Sequence, residues 1–170
     1  DEDLKPLLLK SPAAKTIHHA YMGGLLDHIL SICKIMRGLA AHYDFLELDY
    51  LIFGAIFHDI GKIEELTFED GIKYSDKGRL VGHMGIACDY IDKKSQRILG
   101  FPEELRDLLK HIVLSHHGRL EYGSPRLPMF PEAYVVAMVD DLDSKMNTMV
   151  EFMKDELKTG ERWTRYHQGF

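Results

Sequence analysis

The sequence predicts an all-α domain of five or more core helices. Apolar residues recur at three- and four-residue steps through nearly every segment, and glycines and prolines fall where those runs stop. Only residues 66–76 change character. A chain of 170 residues is long enough for one domain with its own core, and its 45% hydrophobic and 28% charged content are ordinary for a globular protein.

From Leu25 to Ala41, the set Leu25, Leu26, Ile29, Ile32, Cys33, Met36 and Leu39 makes one helix face, with Gly23-Gly24 at its start. Asp49 reads as the N-cap of a second helix, Tyr50 to Asp59, apolar enough to be buried, with Gly61 as a C-cap-like stop. Leu66-Thr67-Phe68 and Ile72-Lys73-Tyr74 flank Asp70-Gly71, which signals a short β-hairpin near residues 66–74. Leu80 to Leu99 reads as one helix closed by Gly100. Pro102 with Glu103-Glu104 opens another, running to about His116 and ended by Gly118. A proline-rich loop follows to Pro131, then a long helix from about Glu132 to Leu157, and residues 159–170 form an aromatic-rich tail.

Charge and cysteines narrow the function classes. A net charge of −6 argues against a surface that coats nucleic acid, though not against a phosphate held by metal ions. The two cysteines, Cys33 and Cys88, lie far apart in apolar stretches and read as buried reduced thiols. With no signal-peptide pattern and no run of about 18 apolar residues, the expected compartment is the cytoplasm, away from the membrane. Neither end reads as a natural terminus, so residues 1–158 are expected to be one domain of a longer protein.

The chemistry lies in the histidines and aspartates. His28 falls inside the first helix, and His58-Asp59 closes the most apolar one. His83 is near the start of the next, His116-His117 ends another, and Asp140 follows a long apolar run. Each candidate comes from a different helix, mostly among apolar neighbours. Buried imidazoles and carboxylates need partners, and shared divalent ions satisfy them together.

The order His, His-Asp, His, His-His, Asp over about residues 15–150 resembles the HD-domain metal-dependent phosphohydrolase superfamily. Four segments are similar to the YhaM-type 3′→5′ exoribonuclease branch: His18-His19-Ala20-Tyr21-Met22-Gly23-Gly24-Leu25-Leu26-Asp27-His28, Phe57-His58-Asp59-Ile60-Gly61-Lys62, His116-His117-Gly118-Arg119 and Asp140-Asp141-Leu142-Asp143. The resemblance implies an HD-domain helical bundle in which His28, His58, Asp59 and Asp140 hold one ion. Asp59 would bridge to a second ion held by His83 and His116. Asp141 competes with Asp140, and His117 with His116; Leu142, two positions after Asp140, fits the family pattern and favours the first of that pair. Members of the branch usually carry an oligonucleotide-binding barrel ahead of this domain, which here would lie outside the chain.

Two divalent ions about 3.5–4 Å apart would generate a metal-bridging hydroxide that attacks phosphorus in line. Asp59, Lys62 and His117 are the expected catalytic residues, Lys62 neutralising phosphate charge and His117 protonating the leaving 3′ oxygen. His19 and Arg119 are expected to touch substrate. The likeness favours Mn²⁺ or Co²⁺, while ligand chemistry also admits Fe²⁺, Ni²⁺ and Zn²⁺. The expected substrate is the 3′ end of RNA or single-stranded DNA, released as nucleoside monophosphates. Competing readings are a nucleotide or cyclic-dinucleotide phosphohydrolase, a di-iron oxygenase, and a non-catalytic scaffold or sensor whose metal is structural; a homo-oligomer is compatible with each. The cyclic-dinucleotide branch continues its His pair with Gly-Tyr-Pro, where this chain has Gly118-Arg119-Leu120.

Overall fold

The structure, a computed structural model, describes residues 2–14, 21–68, 71–157 and 162–166. Among these, α1 spans Lys5–Leu8, α2 Gly24–His42, α3 Leu48–Phe57 and α4 Lys62–Glu65. Strands β1 (Leu66–Thr67) and β2 (Lys73–Tyr74) follow, then α5 (Asp76–Leu80), α6 (Gly82–Ser95), α7 (Glu103–Ser115), a 3₁₀ turn at Leu120–Tyr122, and α8 (Pro131–Glu156). The molecule is all-α apart from the expected hairpin, which pairs Leu66 with Tyr74 and Thr67 with Lys73 in antiparallel register.

Two apolar clusters join the helices. Leu25 and Ile29 of α2 meet Ile63 of α4, Met84, Ala87 and Ile91 of α6, and Leu109 and Val113 of α7. Ile32 and Met36, farther along α2, meet Leu51 and Ala55 of α3, Ile112 of α7, and Val136 and Val139 of α8. Helix α3 therefore packs against α2, α7 and α8. Its Gly54 allows this: a Cβ there would come within 2.4 Å of the Val136 side chain.

Three expected boundaries differ. The N-cap of α3 is Glu47, and Asp49 is the second residue of its first turn, where its charge still favours the helix N-terminus. Gly61 does not end α3, which stops at Phe57; it has an ordinary φ of −65° and precedes α4. Its need for no side chain is steric, because a Cβ would stand 2.0 Å from the His83 carbonyl oxygen. The expected helix Leu80–Leu99 is two helices, α5 ending and α6 beginning at a break where Gly82 takes φ +73°. That break turns His83 inward as α6 begins.

Candidate metal centre

His28 lies three residues after Leu25 and four before Ile32, so the face of α2 that enters the core carries the imidazole inward. His58 is the C-cap of α3, and Asp59 occupies the turn before α4. His83 is the second residue of α6, His116 the C-cap of α7, and Asp140 lies near the middle of α8. His28, His58, Asp59 and His116 are each at most 2% exposed.

One device orients every imidazole. His28 Nδ1 donates to Asp143 Oδ2 at 2.8 Å, and His83 Nδ1 to Glu65 Oε1 at 3.1 Å. His58 Nδ1 donates to the carbonyls of Gly54 and Ala55 at 3.0 and 3.1 Å, and His116 Nδ1 to Val113 at 2.7 Å. His58 thus reaches the Ala55 carbonyl at the helix end and shares that of Gly54 with its own backbone N–H, and His116 likewise reaches that of Val113. His117 Nδ1 donates to the Tyr122 carbonyl at 2.9 Å. A carbonyl or carboxylate only accepts, so the proton of each neutral ring sits on Nδ1 and the Nε2 lone pair faces the pocket.

The Nε2 atoms converge in two groups around Asp59. His28 Nε2 lies 3.2 Å from His58 Nε2 and 3.1 Å from Asp140 Oδ1, while Asp59 Oδ2 is 3.8 and 3.5 Å from the two imidazoles. On the other side, Asp59 Oδ1 lies 3.6 Å from His83 Nε2 and 3.7 Å from His116 Nε2. His117 joins His83 and His116, the three ligand atoms lying within 4.8 Å of one another. Donors about 2.1 Å from one ion, at octahedral to tetrahedral angles, sit roughly 3.0–3.4 Å apart, close to these spacings.

The fit of a cation can be tested on the acceptors. Among the described residues, Asp59 Oδ1, His83 Nε2 and His116 Nε2 are buried without a hydrogen-bond partner. All three accept, so none can satisfy another, and leaving them bare is costly. A cation between them resolves the arrangement. Burial pushes His116 down to about 3, with the nearby His58 charge adding to it, so this ring is neutral and ready to donate its lone pair. Burial would raise Asp59, but the Lys62 cation beside it, with the His58 and His83 rings, holds it well below the usual carboxylate range. Burial likewise opposes ionisation of Asp140, and its contact with His28, with His58 close by, outweighs it.

The site opens into a cleft of about 580 Å³ lined by Asp59, Lys62, His116, His117 and Asp140, with further lining from Tyr122, Asp141 and Ser144. Lys62 Nζ donates to Asp59 Oδ2 at 2.6 Å. A larger groove of about 800 Å³ beside α7, near Asp107 and Met129, lies away from this cluster.

Of the residues singled out from sequence, His28, His58, Asp59, Lys62, His83, His116, His117 and Asp140 come together. Asp141 does not join the imidazoles; it pairs with Lys145 at 2.7 Å. Arg119 is exposed, 3.9 Å from Glu121, with its guanidinium over the Tyr122 ring. His18 and His19 lie outside the described residues. The expected proton donor His117 has its pKa lowered by burial and by His83, and its one ring proton is engaged by Tyr122, so the free protein presents an acceptor there. Sequence reasoning missed Asp143, Glu65 and Tyr122. Asp143 had a signal, since three residues after Asp140 is the same face of α8.

The family model for the HD domain matches residues 25–145. The chain is 37% identical over 150 residues to the 3′-5′ exoribonuclease YhaM of Bacillus subtilis (strain 168), covering 88% of this chain and 47% of that one. Against the 3′-5′ exoribonuclease YhaM of Halalkalibacterium halodurans, identity is 39% over 141 residues, 83% of this chain and 44% of the relative. The protein of the same name from Geobacillus sp. (strain WCH70) is 39% identical over 150 residues, 88% and 46% of the two chains. This chain therefore spans about half the length of the curated relatives it matches. No solved structure matches it.

Proposed function

Because the chain belongs to the HD-domain family, we propose that it is the metal-dependent phosphohydrolase domain of a 3′→5′ exoribonuclease, releasing nucleoside monophosphates from the 3′ end of RNA. The carrying observation is the set of buried acceptors around Asp59, which have no partner among the described residues and face one another at 3.6–3.7 Å. The printed activity of the relatives supports the choice of RNA. A nucleic-acid-binding domain elsewhere in the longer protein would hold the strand, since single-strand grooves are basic and aromatic whereas this chain has a net charge of −6.

His28, His58, Asp140 and Asp59 Oδ2 would hold one divalent ion, and Asp59 Oδ1, His83 and His116 the other. Two such ions, when bound, would supply Lewis acidity and lower the pKa of a water toward neutrality. We assign His117 to the second ion rather than to the leaving oxygen, because its Nε2 faces His83 and His116 as an acceptor. Asp143 and Glu65 fix ring orientation from behind. Lys62, held at the cleft by Asp59, offers a cation to the phosphate oxygens, and Arg119 on the rim offers a second one farther along the strand. Mn²⁺ or Co²⁺ are the ions of choice, and the cytoplasm the expected compartment; among the described residues no helix is long and apolar enough to cross a membrane.

The test uses the domain loaded with Mn²⁺ or Co²⁺ and a 5′-labelled RNA, a cyclic dinucleotide and a nucleoside triphosphate as a panel. The expected result is stepwise shortening of the RNA from its 3′ end with release of nucleoside monophosphates, abolished by Asp59→Ala. Full activity of that variant, or preference for either alternative substrate, contradicts the proposal.

A further inference from the structure

Besides the imidazoles, one described residue lining the cleft carries an aromatic ring: Tyr122. The other non-histidine lining residues are short acids, a serine and Lys62. The residue is 56% exposed, so it is not part of the core. Its backbone is nevertheless fixed. Tyr122 N donates to the Arg119 carbonyl at 3.1 Å, and the Tyr122 carbonyl holds His117. Gly123 closes the turn at φ +81°, a conformation that suits glycine. Buried Ser124 then ties the loop down, its hydroxyl bonding the carbonyls of Leu114 at 3.2 Å and Arg126 at 2.8 Å. The Arg119 guanidinium stands over the ring, 5.5 Å from its centroid. A loop held by hydrogen bonds thus places a partly exposed tyrosine, with a guanidinium over its ring, at the edge of the cleft.

We propose that Tyr122 is a stacking subsite for the nucleobase of the terminal nucleotide, with Arg119 backing the ring. This rests on the reading of the cleft as a phosphodiester-cleaving site. Every base has a π-face, so such a wall accepts all four and favours them over a phosphate that carries no base. Its connection to His117 couples base position to the metal-ligating residues through a single hydrogen bond.

The experiment compares binding of adenosine 5′-monophosphate and ribose 5-phosphate to the Mn²⁺-loaded domain by calorimetry, in wild type, Tyr122→Phe, Tyr122→Leu and Tyr122→Ala, with metal content measured for each. Wild type and Tyr122→Phe are expected to favour the nucleotide by about ten-fold. In Tyr122→Leu and Tyr122→Ala that preference collapses, while ribose 5-phosphate affinity and metal content hold. A preference that survives in Tyr122→Leu or Tyr122→Ala overturns the subsite. So does a wild type that binds both ligands equally, which needs no variant to fold and leaves the phosphate site intact. If metal-loaded wild type binds neither ligand, the reading of the cleft fails and the subsite falls with it.

Discussion

His28 and Asp143 lie 115 positions apart in sequence and meet through a 2.8 Å hydrogen bond from Nδ1 to Oδ2. The Asp143 carboxylate is itself fixed by the hydroxyl of Ser31 and the amide of Asn147. It holds the His28 ring with Nε2 toward Asp140 and Asp59.

Replacing that carboxylate by an amide keeps its shape and removes its charge. Asp143→Asn is expected to weaken binding of the ion at His28 about 10–100-fold while the fold persists. Competition against a chromogenic chelator measures this. An unchanged affinity would show that the Asp143 charge plays no part in the site.

Metal loading should release a proton from His28. In the metal-free protein burial pulls this imidazole down, but its hydrogen bonds to Asp140 and Asp143 and the charge of Asp59 prevail and hold it at about 9. An imidazole binds metal only after losing its proton. Between the ordinary value of 6.5 and about 9, loading therefore displaces about one proton, and apparent affinity rises about ten-fold per pH unit. The sign for metal-free stability is opposite: a raised folded pKa stabilises fully below about 6.5 and is lost as pH climbs through about 9. Calorimetry at about pH 7.5, in buffers of different ionisation heat, counts the proton; zero release contradicts the prediction.

Lys62→Met separates an ion pair from a phosphate contact. Removing the cation strands the buried Asp59 carboxylate, so the metal-free protein should melt earlier and metal should restore it. Both ions are expected to remain, while kcat falls about 100–1000-fold, the usual cost of losing one preorganised charge at a reacting phosphate. An unchanged kcat would reduce Lys62 to a structural role.

Gly61→Ala tests how close α4 and α6 must approach. Its φ of −65° suits alanine, so the effect is contact alone, a methyl 2.0 Å from the His83 carbonyl oxygen. Destabilisation of about 1–3 kcal/mol is expected, with the ion at His83 lost before the ion at His28. Denaturant unfolding and metal analysis report the two effects.

The ligand-bearing residues were legible because each combines an unusual chemistry with an apolar neighbourhood, as His58-Asp59 does after Leu51–Phe57. The helices carrying them were legible from periodicity. The break between α5 and α6 was not, since apolar spacing continues through Val81-Gly82 although Gly82 interrupts the helix there with φ +73°. The role of Gly61 was hidden for a related reason: a glycine after a helix reads as a stop, and only the fold shows the His83 backbone against it. Glu65 is an ordinary surface-type residue in sequence, and its part appears once α6 delivers both the backbone N–H and Nδ1 of His83 to one of its oxygens, at 2.9 and 3.1 Å. Tyr122 is silent in sequence because a tyrosine in a proline-rich loop has no periodicity to mark it.

The account turns on Asp59 serving two cations at once. Anomalous diffraction from crystals grown with Mn²⁺ tests this directly. The predicted result is two peaks about 3.5–4 Å apart, one beside Oδ2 among His28, His58 and Asp140, the other beside Oδ1 between His83 and His116. A single peak, or two peaks that Asp59 does not join, would contradict it.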